Sequence, residues 1–226
     1  AITVADGGSI AAGSGIAAGN GAGTVGVVTV NGTASAGIWD AMAGLNGSTG
    51  TINVGATGSI DASGHSLIAG HVNGTGTINI DGQVDASTAY AGFSGTSGVG
   101  TININTGVTL DCTANFELGH GDGTDGYASG TLNMNGGELN AAGMVANIYT
   151  FVDPDWIWAG GESQVNLDGG VITLTDPCAI TGFHEHGNID VEGGIMYING
   201  DNTAGMNWYI GLGALTAYDG AGIVIV

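Results

Sequence analysis

The stretch that decides the fold is Thr77-Ile78-Asn79-Ile80, in which polar and apolar residues alternate as they do in a half-buried β-strand. We identify nine copies of this unit, and their starts lie 26, 24, 26, 24, 30, 33, 24 and 35 residues apart. Such a period is typical of stacked repeat proteins, in which each unit buries its apolar face against its neighbours. The copies begin at Ala1, Val27, Thr51, Thr77, Thr101, Thr131, Gln164, Asn188 and Ile223.

Each full repeat is predicted to contain three short strands separated by glycine corners. In the first strand Ile78 and Ile80 point inward, while Thr77 and Asn79 point outward. A second strand resembles Gly82-Gln83-Val84-Asp85-Ala86, and a third ends on glycine, as in Ser66-Leu67-Ile68-Ala69-Gly70. Further third strands are predicted at Phe116-Glu117-Leu118-Gly119, Trp156-Ile157-Trp158-Ala159-Gly160 and Trp208-Tyr209-Ile210-Gly211.

This pattern predicts an all-β, single-domain parallel β-helix over residues 1–226, a three-strand solenoid with about eight coils plus a terminal strand. Successive coils would pair at about 4.8 Å. The longer periods place loop insertions near 119–130, 143–160, 176–187 and 200–207. No stretch carries an apolar stripe of helical period, so we predict no helix and no capping helix at either end.

Composition limits the partners of the chain. It has neither Lys nor Arg, and its 20 acidic residues give a formal net charge of −20. Nucleic acids and anionic membrane surfaces are bound through cationic side chains, so we expect neither as a partner. No apolar run approaches the roughly 20 residues of a membrane span, so membrane insertion is not expected.

Two kinds of sequence string carry a family resemblance. Gly50-Thr51-Ile52-Asn53 and Gly130-Thr131-Leu132-Asn133-Met134-Asn135-Gly136-Gly137, together with the third strands that end in aromatic-x-Gly, resemble the passenger repeats of autotransporter-type adhesins and related exported Gly-rich surface proteins. The resemblance implies a right-handed β-helix and export. The start Ala1-Ile2-Thr3 fits signal-peptide removal, so we expect an extracellular or cell-surface location, although a processed fragment would start in the same way.

The ends of the predicted solenoid suggest an assembly role. When Ile223-Val224-Ile225-Val226 is aligned with the first strands, both of its outward positions are apolar, so burial on both faces is expected. We expect this strand to dock on Ile2-Thr3-Val4 of the next copy by strand addition. The chain would then be a structural subunit of an extracellular filament or surface coat, with copies of itself as partners. A lateral sheet and an isolated module remain as alternatives.

The other functional hypothesis is a cell-surface adhesin that binds glycans through aromatic-bearing loops. Exposed tryptophans stack on sugars, but we favour the alternative that these residues cover inserted loops or fill subunit contacts. The tryptophans are Trp39, Trp156, Trp158 and Trp208.

Two short clusters have the residue types of cation sites. His120, Asp122 and Asp125 lie in a glycine-rich segment that resembles a small calcium loop, so Ca²⁺ is the candidate cofactor there. An Asx/Gly turn would have the same composition. The segment His184-Glu185-His186 presents two imidazoles suited to Zn²⁺ or Cu²⁺, with no third ligand evident nearby, so a polar loop is the alternative.

Cys112 and Cys178 are predicted to lie two layers apart, at about 9–10 Å from the strand spacing. This exceeds the usual Cα separation of a disulfide unless the loop at Pro177 closes the gap. An intramolecular disulfide, a bond between subunits and free thiols all stay open.

Asn31, Asn46 and Asn73 each begin an N-glycosylation acceptor pattern, and each also begins an Asn-Gly turn dipeptide. The outward Thr-x-Asn positions of the first strands are predicted to form hydrogen-bonded ladders. Catalysis is not expected, because the strand alignment yields no stacked Asp triad and the chain has no Lys or Arg to bind an acidic substrate.

Overall fold

The structure is a computed structural model of the 226-residue chain. It describes residues 1–93, 97–121, 128–146, 149–152, 155–158, 162–176, 180–183, 187–200, 203–217 and 222–225.

The first part of the chain contains eleven strands. They are β1 (Ile2–Val4), β2 (Ser9–Ala12), β3 (Ile16–Asn20), β4 (Val25–Val30), β5 (Thr33–Ala36), β6 (Ala41–Leu45), β7 (Thr49–Val54), β8 (Ser59–His71), β9 (Thr75–Ile80), β10 (Gln83–Phe93) and β11 (Val99–Ile104).

The second part contains twelve more strands and one helix among its described residues. They are β12 (Thr109–Cys112), β13 (Phe116–His120), β14 (Ser129–Ala141), β15 (Met144–Ala146), β16 (Tyr149–Val152), β17 (Asp155–Trp158), β18 (Ser163–Leu174), β19 (Ile180–Thr181), β20 (Gly187–Val191), β21 (Ile195–Ile198), α1 (Thr203–Gly211), β22 (Leu215–Ala217) and β23 (Gly222–Ile225).

The strands stack in three parallel columns, which confirms the predicted parallel β-solenoid. The first face contains β1, β4, β7, β9, β11, the starts of β14 and β18, β20 and β22. The second face contains β2, β5, the starts of β8 and β10, β12, the ends of β14 and β18, β21 and β23. The third face contains β3, β6, the ends of β8 and β10, β13, β15 and β19.

Seven turns of the described chain contribute a strand to all three faces, fewer than the eight complete coils predicted. In the eighth layer β20 and β21 are followed by α1 instead of a third strand, and the ninth layer consists of β22 and β23. None of the described helices has the length and apolarity needed to span a bilayer.

The core follows from the alternation within each strand. On the first face Ile52, Ile78 and Ile102 lie directly above one another in register, and all three are fully buried. This confirms the predicted inward positions. Apolar ladders of this kind exclude water from the interior of the stacked turns and supply the main stabilising contribution, since a single turn has nothing of its own to pack against.

The predicted ladder of outward asparagines is also present. Asn79 Nδ2 donates to Asn53 Oδ1 at 2.8 Å, and Asn103 Nδ2 donates to Asn79 Oδ1 at 2.7 Å. Asn133 and Asn166 continue the ladder with the same 2.7 Å separation. Because each amide is donor to one layer and acceptor from the next, the ladder fixes the stacking register.

Two predicted third strands are wrong. Residues 155–158 form β17, which pairs antiparallel with β16 as a hairpin outside the solenoid, and the third strand of that turn is β15. Residues 208–211 lie in α1. This helix buries Met206 and Tyr209, three positions apart on one helix face, and Tyr209 Oη donates to Ile180 O at 3.4 Å. The prediction of no capping helix therefore fails at this end, where α1 lies over the third face.

The register predicted for the last strand is also wrong. Leu215 in β22 pairs with Ile189 and completes the first face, whereas β23 pairs with β21 on the second face. Ile223 therefore follows buried Met196 in the inward column, and Val224 follows Tyr197 on the outside. The strand thus has the ordinary alternation of its face, and burial of both sides is not required.

Candidate functional site

The first layer of the solenoid leaves core positions uncovered. Ile2 lies in register with buried Val28, and Ile10 lies in register with buried Ala34. Nevertheless Ile2 is 51% exposed and Ile10 is 41% exposed. Val4, the other inward residue of β1, is buried. The apolar ladders therefore open to solvent at this end.

A cavity of about 80 Å³ enters the core at the same end. Its lining is apolar and includes Ile2, Val4, Ile10 and Ile16. Among the described residues, β1, β2 and β3 pair on one side only, with β4, β5 and β6. A strand that paired with the other edge would also cover these side chains.

The opposite end is more covered. Leu215 is buried beside α1, whereas Ile223 is only partly buried against the core. The exposed apolar residues here are Trp208, Ile210 and Leu212, in α1 and the turn after it, and Val224 in β23. Both ends of the solenoid therefore present apolar surface. Of the predicted interface residues, Ile2, Thr3 and Val4 lie in β1 and Ile223, Val224 and Ile225 in β23, while Val226 lies outside the described residues.

A second feature is a groove on the outer side of the third face. It has a volume of about 520 Å³, within the range of small-molecule sites. Met42 and Leu45, both outward residues of β6, form a half-buried apolar part of its lining. Trp39, from the loop before β6, lines it with a side chain that is 59% exposed. We call this the third-face groove.

Three polar side chains of the third-face groove are fixed by hydrogen bonds. Asn46 Nδ2 donates to Asn20 Oδ1 at 3.1 Å. Asp40 Oδ1 accepts from the backbone N–H of Ser66 at 2.8 Å, so the carboxylate is held against the next layer. The backbone of this loop is tied down as well, because the N–H groups of Gly37 and Ile38 both donate to Ser14 O.

His71 closes the groove on the side of the third layer. Burial lowers the pKa of its imidazole, while the negative charge of Asp40 opposes this shift. The ring is therefore neutral near neutral pH. Its Nδ1 is buried and has no hydrogen-bond partner in the part of the chain that the structure describes.

The third-face groove leads into a row of rings along the solenoid axis. Leu45, His71, Phe93 and His120 occupy equivalent positions in successive layers. The ring centroids of His71 and Phe93 are 5.1 Å apart, and those of Phe93 and His120 are 4.9 Å apart. Tyr90 packs beside Phe93 at 4.3 Å, and burial raises the pKa of its phenol.

The predicted calcium loop is only partly described. His120 lies at the end of β13, and its Nδ1 is 2.5 Å from Glu117 Oε2, a hydrogen-bond partner within the same strand. Asp122 and Asp125 lie outside the described residues, as does His184-Glu185-His186. Across the ranges that the structure covers, no three His, Cys, Asp or Glu side chains are grouped as metal ligands. The calcium site stays a prediction.

The expectation of no stacked Asp triad is wrong. Asp61, Asp85 and Asp111 occupy the same outward position in three successive layers of the second face. Gln83 Nε2 bridges Asp85 and Asp111 at 3.3 Å each, which moderates the repulsion. Hydrogen bonds from the backbone and then the side chain of Ser63 lower the pKa of Asp61. The sequence contains the pattern that predicts this stack, because an Asp lies between two apolar residues in each of three second strands: Ile60-Asp61-Ala62, Val84-Asp85-Ala86 and Leu110-Asp111-Cys112.

Cys112 is buried at the end of β12, and burial raises the pKa of its thiol to about 12. Register places β12 two layers from the end of β18, as the sequence suggested. Cys178 lies outside the described residues, so the disulfide stays a prediction.

The three candidate glycosylation asparagines all lie at turns. Asn46 and Asn73 are exposed and have positive φ angles of 56° and 61°, the left-handed conformation favoured in tight turns. Asn31 is half-buried after β4, and its carbonyl accepts from Thr57 Oγ1 at 2.7 Å. Glycosylation stays a prediction.

The third-face groove was not predicted as a site. A signal existed, because the outward positions of the third strands carry Met42, Ile68 and Tyr90 where the first strands carry Thr and Asn. Ile68 points outward and is nevertheless buried, which marks a covered outer surface. The wall formed by Trp39 depends on a loop conformation that strand periodicity does not specify.

Fold and surface together define a single-domain protein of the parallel β-solenoid class, with about seven complete turns. No family model, curated protein or solved structure matches the chain.

Proposed function

We propose that the chain is a structural subunit of an extracellular filament or surface coat, in which copies stack head to tail through their solenoid ends. The observation that carries the proposal is the exposure of Ile2 and Ile10 in columns whose next members, Val28 and Ala34, are buried. Any further layer beneath β1 and β2 would bury them. The proposal commits to a second copy as the source of that layer.

Geometry favours this partner because all strands of the solenoid are parallel. On the first and second faces, the outer edge of β22 and β23 runs in the same direction as the outer edge of β1 and β2, so these two ladders of one copy would continue those of another by translation along the axis. On the third face α1 takes the place of a strand at this end, so β3 of the next copy would meet the helix. Contacts of this kind are heterologous and do not close, so they generate fibres. Backbone hydrogen bonds would give affinity and the apolar columns specificity.

Charge opposes the association. Every copy carries a formal charge of −20 with no Lys or Arg, so copies repel one another at low ionic strength. Assembly should therefore be promoted by salt, since at about 0.5 M the screening length falls below about 8 Å.

The experiment is to concentrate the 226-residue chain at low and high salt and to examine it by analytical ultracentrifugation and negative-stain electron microscopy. We expect fibres with an axial repeat of about 43 Å, from nine layers at about 4.8 Å. The double variant Ile2→Asp, Ile10→Asp should remain monomeric. The matched control Val25→Asp changes an exposed lateral residue and should assemble normally.

Monodisperse single particles at every salt and concentration would overturn the proposal. Equal loss of assembly in Val25→Asp and in the double variant would point to lateral contacts and would also overturn it. Circular dichroism of each variant separates loss of assembly from loss of folding.

A further inference from the structure

We propose that the third-face groove binds a neutral carbohydrate chain, with Trp39 as the stacking surface and Asn20, Asn46 and Asp40 as hydrogen-bonding groups. This function is independent of end stacking, because the groove lies on the lateral surface and contains neither Ile2 nor Ile10.

The groove combines the two surfaces that a sugar ring requires. A pyranose has an apolar C–H face, which packs on aromatic rings, and an edge of hydroxyl groups, which needs polar partners. Trp39 is 59% exposed although it is the largest side chain of its loop. Met42 and Leu45 extend the apolar surface beside it, and about 520 Å³ of space separates these walls.

The polar groups are held in place before any ligand arrives. Asn20 and Asn46 are bonded to each other at 3.1 Å, which leaves Nδ2 of Asn20 as a donor and Oδ1 of Asn46 as an acceptor. Asp40 is anchored through one oxygen to the N–H of Ser66 at 2.8 Å, and its carboxylate retains further acceptor capacity. Pre-organised groups lose less entropy on binding, which favours a polar ligand.

The charges of the third-face groove favour a neutral polar ligand over an acidic one. The chain has no Lys or Arg, and the low pKa of His71 keeps its ring uncharged, so the groove offers no cation to an acidic sugar. Asp40 would repel a carboxylate or sulfate. Hydroxyl groups meet no such penalty, because they both donate and accept hydrogen bonds.

The row of rings indicates an extended ligand. The row begins at His71, one layer beyond Leu45 of the groove, and continues through Phe93 to His120. From Leu45 to His120 it covers three layer spacings, or about 14 Å. A linear oligosaccharide that follows the solenoid axis would reach these rings, whereas a monosaccharide would contact only the groove.

The test uses three neutral linear hexasaccharides as probes: cellohexaose, maltohexaose and chitohexaose. Binding to the full chain is measured by isothermal titration calorimetry and by two-dimensional NMR of the tryptophan indole N–H groups. We expect at least one probe to bind and to shift the Trp39 signal. Trp39→Ala should weaken that binding at least tenfold, and Asn20→Ala should weaken it several-fold.

The matched control is Trp208→Ala, because Trp208 is similarly exposed but lies on α1. It should bind as the unmodified chain does, and so should the double variant Ile2→Asp, Ile10→Asp. Absence of binding by all three probes would overturn the proposal. Stronger binding of hexagalacturonate, or of a quaternary ammonium compound such as choline, would overturn the assignment of a neutral carbohydrate.

Discussion

A Cβ atom on Gly100 would lie 2.1 Å from the backbone nitrogen of Gly92, which lies in β10, in the third strand of the preceding turn. It would also lie 2.1 Å from the carbonyl oxygen of Ala69. Gly92 itself has a φ of 74°, which side chains rarely tolerate. The corner between the third and first faces is therefore a direct contact of two backbones, and this explains why glycine precedes the Thr-Ile-Asn unit.

Gly100→Ala should destabilise the protein by about 3 kcal/mol or more, because backbone atoms of two turns must move apart. The matched control is Gly64→Ala, where an added Cβ meets no atom within 4 Å. It should change stability by less than about 1 kcal/mol. Urea unfolding followed by circular dichroism measures both, and equal midpoints for the two variants would contradict the backbone contact.

Asn103→Ala should cost about 1–3 kcal/mol, because it leaves Asn79 Oδ1 and Asn133 Nδ2 without their 2.7 Å partners in a half-buried ladder. Asn105→Ala is the control. Asn105 also bonds two layers, through Asp81 at 2.7 Å and Asn135 at 2.9 Å, but these bonds are exposed to water. A loss for Asn105→Ala as large as that for Asn103→Ala would show that burial is not the deciding factor.

Much of this architecture can be predicted from the sequence, because period and alternation are properties of neighbouring residues. Thr51, Thr77 and Thr101 were aligned correctly, since each turn repeats the spacing of the one before. The helix α1 escaped prediction because Trp208, Tyr209 and Ile210 are consecutive apolar residues and leave no stripe of helical period. Its stability comes from tertiary burial of Met206 and Tyr209, which local sequence does not reveal.

The register of the last strand failed for a related reason. Ile223-Val224-Ile225 matches the apolar content of either a first or a second strand, and α1 changes the spacing just before it. The third-face groove was missed for a different reason. Its apolar outer residues are visible in the sequence, but the approach of Trp39 and Asp40 to Asn20 and His71 requires the three-dimensional course of a loop.

Acidic pH should destabilise the protein through His71. The pKa of the folded imidazole is lowered, mainly by burial, from its ordinary value of 6.5. Below about pH 6.5 the unfolded ring takes up a proton that the folded ring does not, so stability falls as the pH falls toward the folded pKa. His71→Phe keeps a ring in the stack and lacks this proton. The unfolding free energies of the unmodified protein and of His71→Phe are compared from pH 7.5 to pH 5. The unmodified protein should lose stability relative to His71→Phe as the pH falls. A constant difference between the two would contradict the lowered pKa of His71.

Alkaline pH should act through Cys112 in the reduced protein. Burial raises the pKa of the folded thiol from 9.0 to about 12, so above pH 9 the unfolded chain loses a proton that the folded chain retains. The contribution of Cys112 to the free energy of unfolding is therefore fully present below pH 9. It falls as the pH rises, by about 4 kcal/mol at most. Urea unfolding of the unmodified chain and of Cys112→Ala, both in reductant, isolates this term.

For Cys112 the free-energy difference between the two proteins should shrink between pH 8.5 and pH 10.5. An unchanged difference would mean that the thiol ionises equally well in both states. Alkylation at pH 8 gives a second reading, since a buried thiol reacts slowly until the chain unfolds.

Thr75 and Val99 are 24 residues apart in the chain and lie in register in neighbouring turns. This spacing determines how the solenoid can gain or lose a turn. Residues 75–98 correspond to one repeat module of the sequence, since β9 starts at Thr75 and β11 starts at Val99. Removing this module joins Gly74 to Val99 and shortens the rod by one rung, while duplicating it adds a rung. Unequal recombination between neighbouring repeats would thus convert gene length directly into particle length, in integer steps of about 4.8 Å.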